Sequence, residues 1–241
     1  MTLIRHGEST ANVAASAAEL ARAEEIDVPL RDADVPLSQI GADQAAAVGR
    51  WLQGLDDDQF PDSIWCSPYL RAADTARLLA AGQRAQLPVR VDERLRDREL
   101  GIIDALTTVG VEARLPVEAA RRRRLGKFYY RPPGGESWAD VVLRLRSMLI
   151  DLDRLESGRR VLIVSHDAVL TLIRYICEHL TEAQVLELAS TTPLLNASIS
   201  RLVRHEADGP WTLDLYNRVD HLEALGAEVT VHTGTRDAFP Q

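Results

Sequence analysis

Two histidines stand at the ends of short apolar segments, where they could take part in phosphoryl transfer. His6 follows Leu3-Ile4 and comes directly after Arg5, and His166 follows the apolar run at residues 161–164. A neutral imidazole can attack phosphorus when a backbone carbonyl holds its other ring nitrogen and arginines offset the phosphate charge. Each motif taken alone is also compatible with a structural histidine in a turn.

An arginine follows a third apolar segment in the same way. Ser63-Ile64-Trp65-Cys66 predicts a strand, and Arg71 lies early in the helical pattern that follows it. A guanidinium donates to two phosphate oxygens at once and keeps its charge. Ligands bind at the carboxyl ends of the strands in open α/β sheets. We therefore expect His6, Arg71 and His166 to face one another across a phosphate group.

Short apolar runs alternate with amphipathic stretches along most of the chain. The patterns predict strands at residues 3–4, 63–66, 89–91 and 161–164, and helices at residues 41–55, 69–81, 137–155 and 169–180. This alternation predicts a three-layer α/β/α sandwich with a mostly parallel sheet. Residues 197–203 and 211–216 alternate apolar and polar side chains around the turn Asp208-Gly209-Pro210. They predict an antiparallel hairpin on the sheet edge.

The sequence predicts one domain over residues 1–220 and a loosely attached tail over residues 221–241. Residues 106–133 fit neither a strand nor a helix that packs on the sheet, and they include four consecutive arginines, Arg121 to Arg124. We interpret this segment as an inserted lid over a site. His221 and His232, in the tail, are expected at the surface.

Composition excludes several classes of protein. The 241 residues are 46% hydrophobic, which is ample for a buried core and excludes disorder and fibres. A net charge of -8 argues against nonspecific nucleic-acid binding but allows a basic pocket. The only cysteines, Cys66 and Cys177, lack the spacing of a disulfide framework or a metal site. An early charged residue, Arg5, excludes a signal peptide, and no apolar run approaches the roughly 18 residues of a membrane span, so we expect a cytoplasmic protein.

Four motifs, in this order, resemble the histidine phosphatase superfamily in its phosphoglycerate mutase-like branch. They are Leu3-Ile4-Arg5-His6-Gly7-Glu8-Ser9 with Asn12, Asp34-Val35-Pro36-Leu37-Ser38 with Gly41 and Gln44-Ala45, Ser67-Pro68-Tyr69-Leu70-Arg71-Ala72, and Val164-Ser165-His166-Asp167-Ala168-Val169. The resemblance covers about residues 2–204. It implies the phosphoglycerate mutase-like fold and a reaction that needs no metal or cofactor.

The resemblance also implies roles for individual residues. His6 would be the nucleophile that becomes phosphohistidine. Arg5, Arg71 and His166 would form the rest of the pocket that binds the transferred phosphoryl group. Two further residues match positions that contact the phosphate or the rest of the substrate, namely Ser9 and Asn12.

The resemblance leaves the general acid open. The run at residues 95–101 matches the pattern Leu-x-Glu-x-x-x-Gly of the mutase-like branch, with Asp97 in place of the glutamate and therefore one methylene shorter. Asp167 is an alternative, because the acid-phosphatase and phytase branch carries an aspartate directly after its second histidine. Glu99 is a third candidate, and protonation by water is the last.

The segment at residues 127–137 is similar to one in the fructose-2,6-bisphosphatase domain and in related bacterial phosphatases. That similarity implies that Arg123, Lys127 and Trp138 contact a second phosphate and the sugar, although the arginine run is also compatible with a solvated helix face. Thr171 stands where that domain has an arginine. Asp167, which we also count among the candidate substrate-binding residues, stands where it has a glutamine. Fructose 2,6-bisphosphate is thus only one candidate substrate.

Together these patterns predict a metal-independent phosphomonoester hydrolase that acts, through phosphohistidine, on a small anionic metabolite of the sugar phosphate or phosphoglycerate type. The glycolytic mutases carry a Leu-Asn-Glu-Arg-His-Tyr-Gly run and a Pro-Pro-Pro-containing insertion that match poorly here, so we favour a phosphatase over a phosphoglycerate mutase. A phosphoprotein-directed or noncatalytic phosphate-binding protein is the other alternative. We expect no nucleic-acid or membrane partner. The oligomeric state stays open, with a homodimer as one alternative.

Overall fold

A mixed β-sheet forms the centre of the fold. The computed structural model describes residues 1–83, 85–206 and 209–232. Within them the strands are β1 (Thr2–Arg5), β2 (Ser63–Cys66), β3 (Val89–Val91), β4 (Val161–Ser165), β5 (Ile199–Val203) and β6 (Thr212–Arg218). Their order in the sheet is β3-β2-β4-β1-β5-β6. Parallel pairing joins β3, β2, β4 and β1 in that order. Strand β5 pairs antiparallel with β1, and β6 pairs antiparallel with β5. The predicted α/β fold with an antiparallel edge is confirmed.

Helices connect the strands. Those in the described residues are α1 (Thr10–Leu20), α2 (Gln39–Gln53), α3 (Leu70–Ala80), α4 (Thr108–Arg114), α5 (Pro116–Tyr129), α6 (Trp138–Leu155), α7 (Asp167–Cys177), α8 (Glu182–Thr191) and α9 (Asp220–Ala224). The sequence predicted α2, α3, α6 and α7 to within a few residues. Capping boxes begin α1 at Ser9 and α6 at Ser137. Among the described helices, none has both the length and the apolar character that a membrane crossing requires.

The sheet separates two hydrophobic cores, which makes the fold three-layered. Side chains on successive strand residues point to opposite faces. Leu3 and Ile163 pack on one face with residues of α6 and α7. Ile4 and Val164 pack on the other face with residues of α2 and α3. The adjacent strands β1 and β4 are therefore covered on both faces of the sheet. Residues just beyond their carboxyl ends are thus attached to a buried part of the fold.

The segment at residues 106–133, for which the sequence predicted neither a strand nor a helix that packs on the sheet, is helical. It forms α4 and α5, and α5 is kinked at Gly126, which has φ 74° and ψ 161°. A third small core of Ile103, Val111, Ala119 and Tyr130 holds the two helices. Val111 and Ala119 face that small core, and Phe128 packs beside Trp138 in the core on the α6 and α7 face, so the two helices lack a continuous apolar face. That the segment acts as a lid stays a prediction.

The described part of the predicted tail packs against the body of the protein. His221 and Leu222 in α9 are buried, and Leu222 belongs to the core on the α2 and α3 face. His232 is also mostly covered, with 14% of its side chain exposed. The expectation that His221 and His232 lie at the surface is therefore wrong. Residues 233–241 of the tail and Asp208 of the predicted turn lie outside the described residues.

Candidate active site

His6 lies at the carboxyl end of β1, and two backbone contacts set its position and its ring. Its backbone N–H donates to the Ser165 carbonyl at 2.9 Å, which ties the ends of β1 and β4 together. Its ring nitrogen Nδ1 lies 2.7 Å from the Gly7 carbonyl oxygen. Because a carbonyl only accepts hydrogen bonds, Nδ1 carries the ring proton and Nε2 keeps its lone pair. Arg71 Nε donates to this lone pair at 3.3 Å.

The electrostatic surroundings keep His6 neutral. Burial lowers the pKa of His6 well below its ordinary value of 6.5, and the charges of Arg71, His166 and Arg5 lower it further. The hydrogen bond to the Gly7 carbonyl opposes this shift without reversing it. A neutral imidazole with a free Nε2 is the form that can act as a nucleophile.

A pair of glycines brings the turn after β1 against the start of α2. A Cβ atom on Gly7 would lie 2.3 Å from the Gly41 carbonyl oxygen, and one on Gly41 would lie 1.9 Å from the Glu8 carbonyl oxygen. Ser38 caps α2 by accepting from the Gly41 N–H and donates to Glu8 Oε1 at 2.6 Å. The turn that carries His6 is thus packed backbone to backbone, and no larger residue fits at either glycine.

Arg71 lies in the first turn of α3 and is oriented by two carboxylates. Its Nη1 donates to Asp32 Oδ1 at 2.9 Å, and its Nη2 donates to Asp97 Oδ2 at 3.0 Å. These bonds hold the planar guanidinium, with Nε toward His6. Sequence reasoning missed Asp32, which lies in a short 3₁₀ turn before α2. Burial raises the pKa of Asp32, and Arg71 opposes that shift.

His166 caps the N-terminus of α7 and faces His6. The centres of the two rings are 5.1 Å apart. His166 Nε2 lies 2.8 Å from Ser67 Oγ, and Nδ1 lies 3.2 Å from Asp97 Oδ2. Burial lowers the pKa of His166, and the Asp97 carboxylate opposes that shift. The prediction that His6, Arg71 and His166 meet at the strand ends is confirmed.

Arg5, the last residue of β1, is anchored at one end of its guanidinium. Nη1 donates to the carbonyl oxygens of Leu194 and His232, the latter at 3.0 Å. Among the described residues, Arg5 Nε is buried and has no hydrogen-bond partner. An unpaired buried N–H is costly, and an anionic phosphate oxygen would satisfy it.

Ser9 and Asn12 are engaged in the cap of α1. Ser9 Oγ accepts from the Asn12 N–H at 3.2 Å, and Asn12 Oδ1 accepts from the Ser9 N–H at 3.0 Å. Asn196 Nδ2 donates to the His6 carbonyl at 3.2 Å and to Asn12 Oδ1 at 3.3 Å. Asn196, which sequence reasoning missed, therefore links this cap to the backbone of His6. Binding of substrate by Ser9 and Asn12 stays a prediction.

The three candidate acids lie in different surroundings. Burial would raise the pKa of Asp97, but His166 and Arg71 outweigh burial and hold that pKa well below its usual value. Burial raises the pKa of Asp167, although Arg5 opposes the shift. Glu99 is exposed, and its carboxylate accepts a hydrogen bond from the Gly101 N–H at 3.3 Å. Asp97 is thus the candidate in direct contact with both Arg71 and His166.

A second group of cations lies beside Asp167. Lys127 Nζ is 4.5 Å from the centre of the Trp138 ring, and burial lowers the pKa of Lys127 to about 8. Asp167 opposes that shift, whereas Arg122 and Arg98 add to it, so these charges lie close to one another.

The structure corrects the predicted position of Arg123. The Arg123 side chain is exposed, and its guanidinium contacts the Glu112 carboxylate. Arg122 is buried instead, and burial lowers its pKa to about 10. Because successive residues of a helix are rotated by about 100°, Arg122 and Arg123 point in different directions. Arg122, and not Arg123, joins the Lys127 group.

The arrangement can bind and transfer a phosphoryl group. A neutral imidazole faces a second histidine, and the guanidinium groups of Arg5 and Arg71 supply positive charge close to both. Within the described ranges, no group of three or more His, Cys, Asp or Glu side chains is placed to hold a metal ion.

Comparison with known proteins identifies the family. The profile of the histidine phosphatase superfamily (branch 1) matches residues 1–219. The chain belongs to this superfamily. A Caenorhabditis elegans 6-phosphofructo-2-kinase/fructose-2,6-bisphosphatase is 30% identical over 208 residues, which are 86% of this chain and only 40% of the worm protein. A 2,3-bisphosphoglycerate-dependent phosphoglycerate mutase 2 from Gloeobacter violaceus is 30% identical over 200 residues, 78% of this chain and 82% of that protein.

Solved structures of the superfamily share the fold. A mycobacterial glucosyl-3-phosphoglycerate phosphatase in complex with VO3 matches with a TM-score of 0.71 and 30% identity, over 91% of this chain and 98% of that chain. The relatives of this histidine phosphatase superfamily member thus include phosphatases and mutases. The predicted membership of the superfamily is confirmed.

Proposed function

We propose that this protein is a phosphomonoester hydrolase that works through a phosphohistidine intermediate at His6. The observation that carries the proposal is the state of His6: its Nδ1 is held by the Gly7 carbonyl, its pKa is lowered by burial, and its Nε2 faces Arg71. The cations that offset phosphate charge are arginines, so the reaction we propose needs no metal or cofactor.

The reaction has two steps. In the first, His6 Nε2 attacks phosphorus in line, the bond from phosphorus to the ester oxygen breaks, and a carboxyl group protonates the departing alkoxide. In the second, the carboxylate takes a proton from water, which attacks phosphohistidine and releases inorganic phosphate. Arg5, Arg71 and His166 stabilise the charge on the equatorial oxygens in both steps.

We assign the general acid to Asp97. Its carboxylate contacts both Arg71 and His166, so it lies beside any phosphate bound between them. A phosphate dianion would take up the positive charge that now holds the pKa of Asp97 low, and that pKa would rise on binding. Asp167 is the alternative, favoured by the raised pKa of its own carboxyl.

The substrate class follows from the second group of cations. Lys127, Arg122 and Arg98, with the Trp138 ring, favour a small metabolite that carries a second anionic group beside its phosphate. Sugar phosphates and phosphoglycerates have this chemistry, and the phosphoglycerate moiety is in the names of both the mycobacterial phosphatase and the mutase.

The proposed function also implies what the protein binds and where it acts. We expect a small phosphorylated substrate, no nucleic-acid or membrane partner, and a cytoplasmic location. Phosphoglycerate mutase is the second candidate, favoured by the 30% identity to the Gloeobacter enzyme.

The deciding experiment measures phosphate release in excess EDTA from p-nitrophenyl phosphate, 3-phosphoglycerate, fructose bisphosphates and other sugar phosphates. Isomerised product is measured in the same samples. We expect release by the wild type, none by His6→Ala, and wild-type rates from His205→Ala, which changes an exposed histidine. Acid-labile phosphate on the wild-type protein would mark the intermediate. Isomerisation without release would establish a mutase, and full activity in His6→Ala would refute the assignment.

A further inference from the structure

The chain near its described C-terminus crosses α2 and ends beside the candidate active site. We call residues 227–232 the C-terminal strap. Gln44 Nε2, from α2, donates to the Glu228 carbonyl at 2.8 Å and to Thr230 Oγ1 at 2.9 Å. Val229 packs against the core on the α2 and α3 face, and Thr230 is buried. The strap is therefore attached to the body of the protein by both polar and apolar contacts.

The imidazole of His232 anchors the end of the strap. Its Nε2 lies 2.6 Å from Glu8 Oε2, and its Nδ1 lies 2.6 Å from Ser16 Oγ. Both partners come from the first 16 residues of the chain, and Glu8 is buried. Ser16 lies in the middle of α1, where backbone N–H groups are engaged in helix hydrogen bonds. This Ser, His and Glu chain therefore offers no oxyanion donors and is an anchor rather than a hydrolytic triad.

The anchored residue acts on Arg5 through its backbone. The His232 carbonyl accepts from Arg5 Nη1 at 3.0 Å, and the Leu194 carbonyl accepts from the same nitrogen. Two carbonyl acceptors engage both hydrogens of Nη1 and so fix the plane of the guanidinium. The other edge of the guanidinium, formed by Nε and Nη2, is the edge that binds two oxygens of one anion. On this edge the buried Nε has no hydrogen-bond partner among the described residues.

We infer that His232 is a positioning residue for phosphate binding: its anchored backbone carbonyl holds Arg5 so that the Nε edge is presented to the phosphoryl group. The inference rests on the proposed function of the site. It assigns a role to a residue that lies 226 positions after the nucleophile and outside residues 1–219, which the family profile matches. The strap supports the arginine and does not compete with phosphate, because carbonyl oxygens and phosphate use different nitrogens.

The test compares His232→Ala, His232→Gln and the control His205→Ala in the full-length chain. Glutamine can donate to Glu8 and accept from Ser16, so it keeps the anchor, whereas alanine removes it. Three readouts are measured below the thermal transition of every variant: the Kd of orthovanadate, kcat/KM for p-nitrophenyl phosphate, and the Nε–H signal of Arg5 in protein labelled with 15N-arginine. Arg5→Lys identifies that signal by its loss.

We expect His232→Ala to bind orthovanadate about tenfold more weakly and to lose about tenfold in kcat/KM, because one charge-assisted contact becomes disordered. The Arg5 Nε–H signal should shift or broaden in His232→Ala and return in His232→Gln. Wild-type values in His232→Ala, or tighter vanadate binding, would overturn the inference. So would a loss of activity with an unchanged Arg5 signal, since the loss would then not pass through Arg5.

The same experiment separates this inference from the proposed function. If the wild type neither binds orthovanadate nor hydrolyses any ester, the proposed function fails. The Arg5 signal still reports whether His232 holds the guanidinium, since it needs neither ligand nor turnover.

Discussion

His6 and His166 share one buried site, and burial lowers the pKa of both rings. A neutral His6 can attack phosphorus at neutral pH without first losing a proton. Arg71 Nε donates to the His6 lone pair that must make this attack. In the reaction we propose, phosphate oxygens would accept from Arg71 in place of this lone pair. Binding of the substrate would then free His6 Nε2 for the attack.

Single substitutions can show whether Asp97 or Asp167 is the general acid. Asp97→Asn should slow alkyl phosphates by about 10²- to 10⁴-fold, the usual contribution of a general acid, because a poor leaving group needs its proton. It should slow aryl phosphates far less. The measurement is kcat/KM against a series of esters whose leaving groups differ in pKa.

Asp167→Asn is the matched comparison, since it makes the same change on the other candidate carboxyl. If Asp167→Asn shows the dependence on the leaving group and Asp97→Asn slows all esters equally, Asp167 is the acid.

Among the elements, the turn between β1 and α1 depends on its contact with the start of α2. Gly7 and Gly41 let two backbones approach, and Ser38 links the cap of α2 to Glu8. Glu8 in turn holds His232 of the strap. One turn therefore carries His6, contacts the start of α2 and binds the chain near its described C-terminus.

Gly7→Ala should destabilise the protein and abolish turnover. A Cβ atom 2.3 Å from a backbone oxygen cannot be relieved by a side-chain rotation. The cost should be about 1–3 kcal/mol or more in the free energy of unfolding, measured by urea titration.

The control is Gly54→Ala, where a Cβ atom would meet only the Trp51 carbonyl at an ordinary 3.5 Å. Equal stability of the two variants would contradict the close packing of this turn.

Across the whole molecule, the chain after β6 returns to the face that carries α2. There α9 buries His221, and burial lowers the pKa of His221 to about 4. The whole protein carries a net charge of -8, and its candidate active site brings Arg5, Arg71 and Lys127 together with Asp97 and Asp167. Distant segments of an acidic chain thus meet to concentrate cations and carboxylates in one site.

Burial of His221 should make stability depend on pH. The unfolded chain takes up a proton on this histidine near pH 6.5, whereas the folded chain does so only near pH 4. The free energy of unfolding therefore falls as the pH is lowered through this window, by up to about 3 kcal/mol from His221. Urea titrations at several pH values should show a smaller fall for His221→Gln. The same fall as in the wild type would show that His221 is not buried in its neutral form.

Local patterns in the sequence predicted the central strands, four of the helices and the meeting of His6, Arg71 and His166. These predictions were possible because the carboxyl ends of parallel strands share one edge of a sheet. A motif that directly follows such a strand must therefore lie at that edge. The alternation of residues 197–203 and 211–216 predicted the antiparallel edge for a similar reason, since a strand with one exposed face shows a period of two.

Packing between separate elements determines which other residues join the site. Arg122 faces inward and Arg123 does not, because the rotation of α5 about its axis depends on the small core that holds it. Asp32, Asn196 and His232 lie in segments without a strand or helix signal, and long-range packing brings them to the histidines. Periodicity and spacing describe a residue's own element, whereas these contacts depend on how separate elements pack against each other.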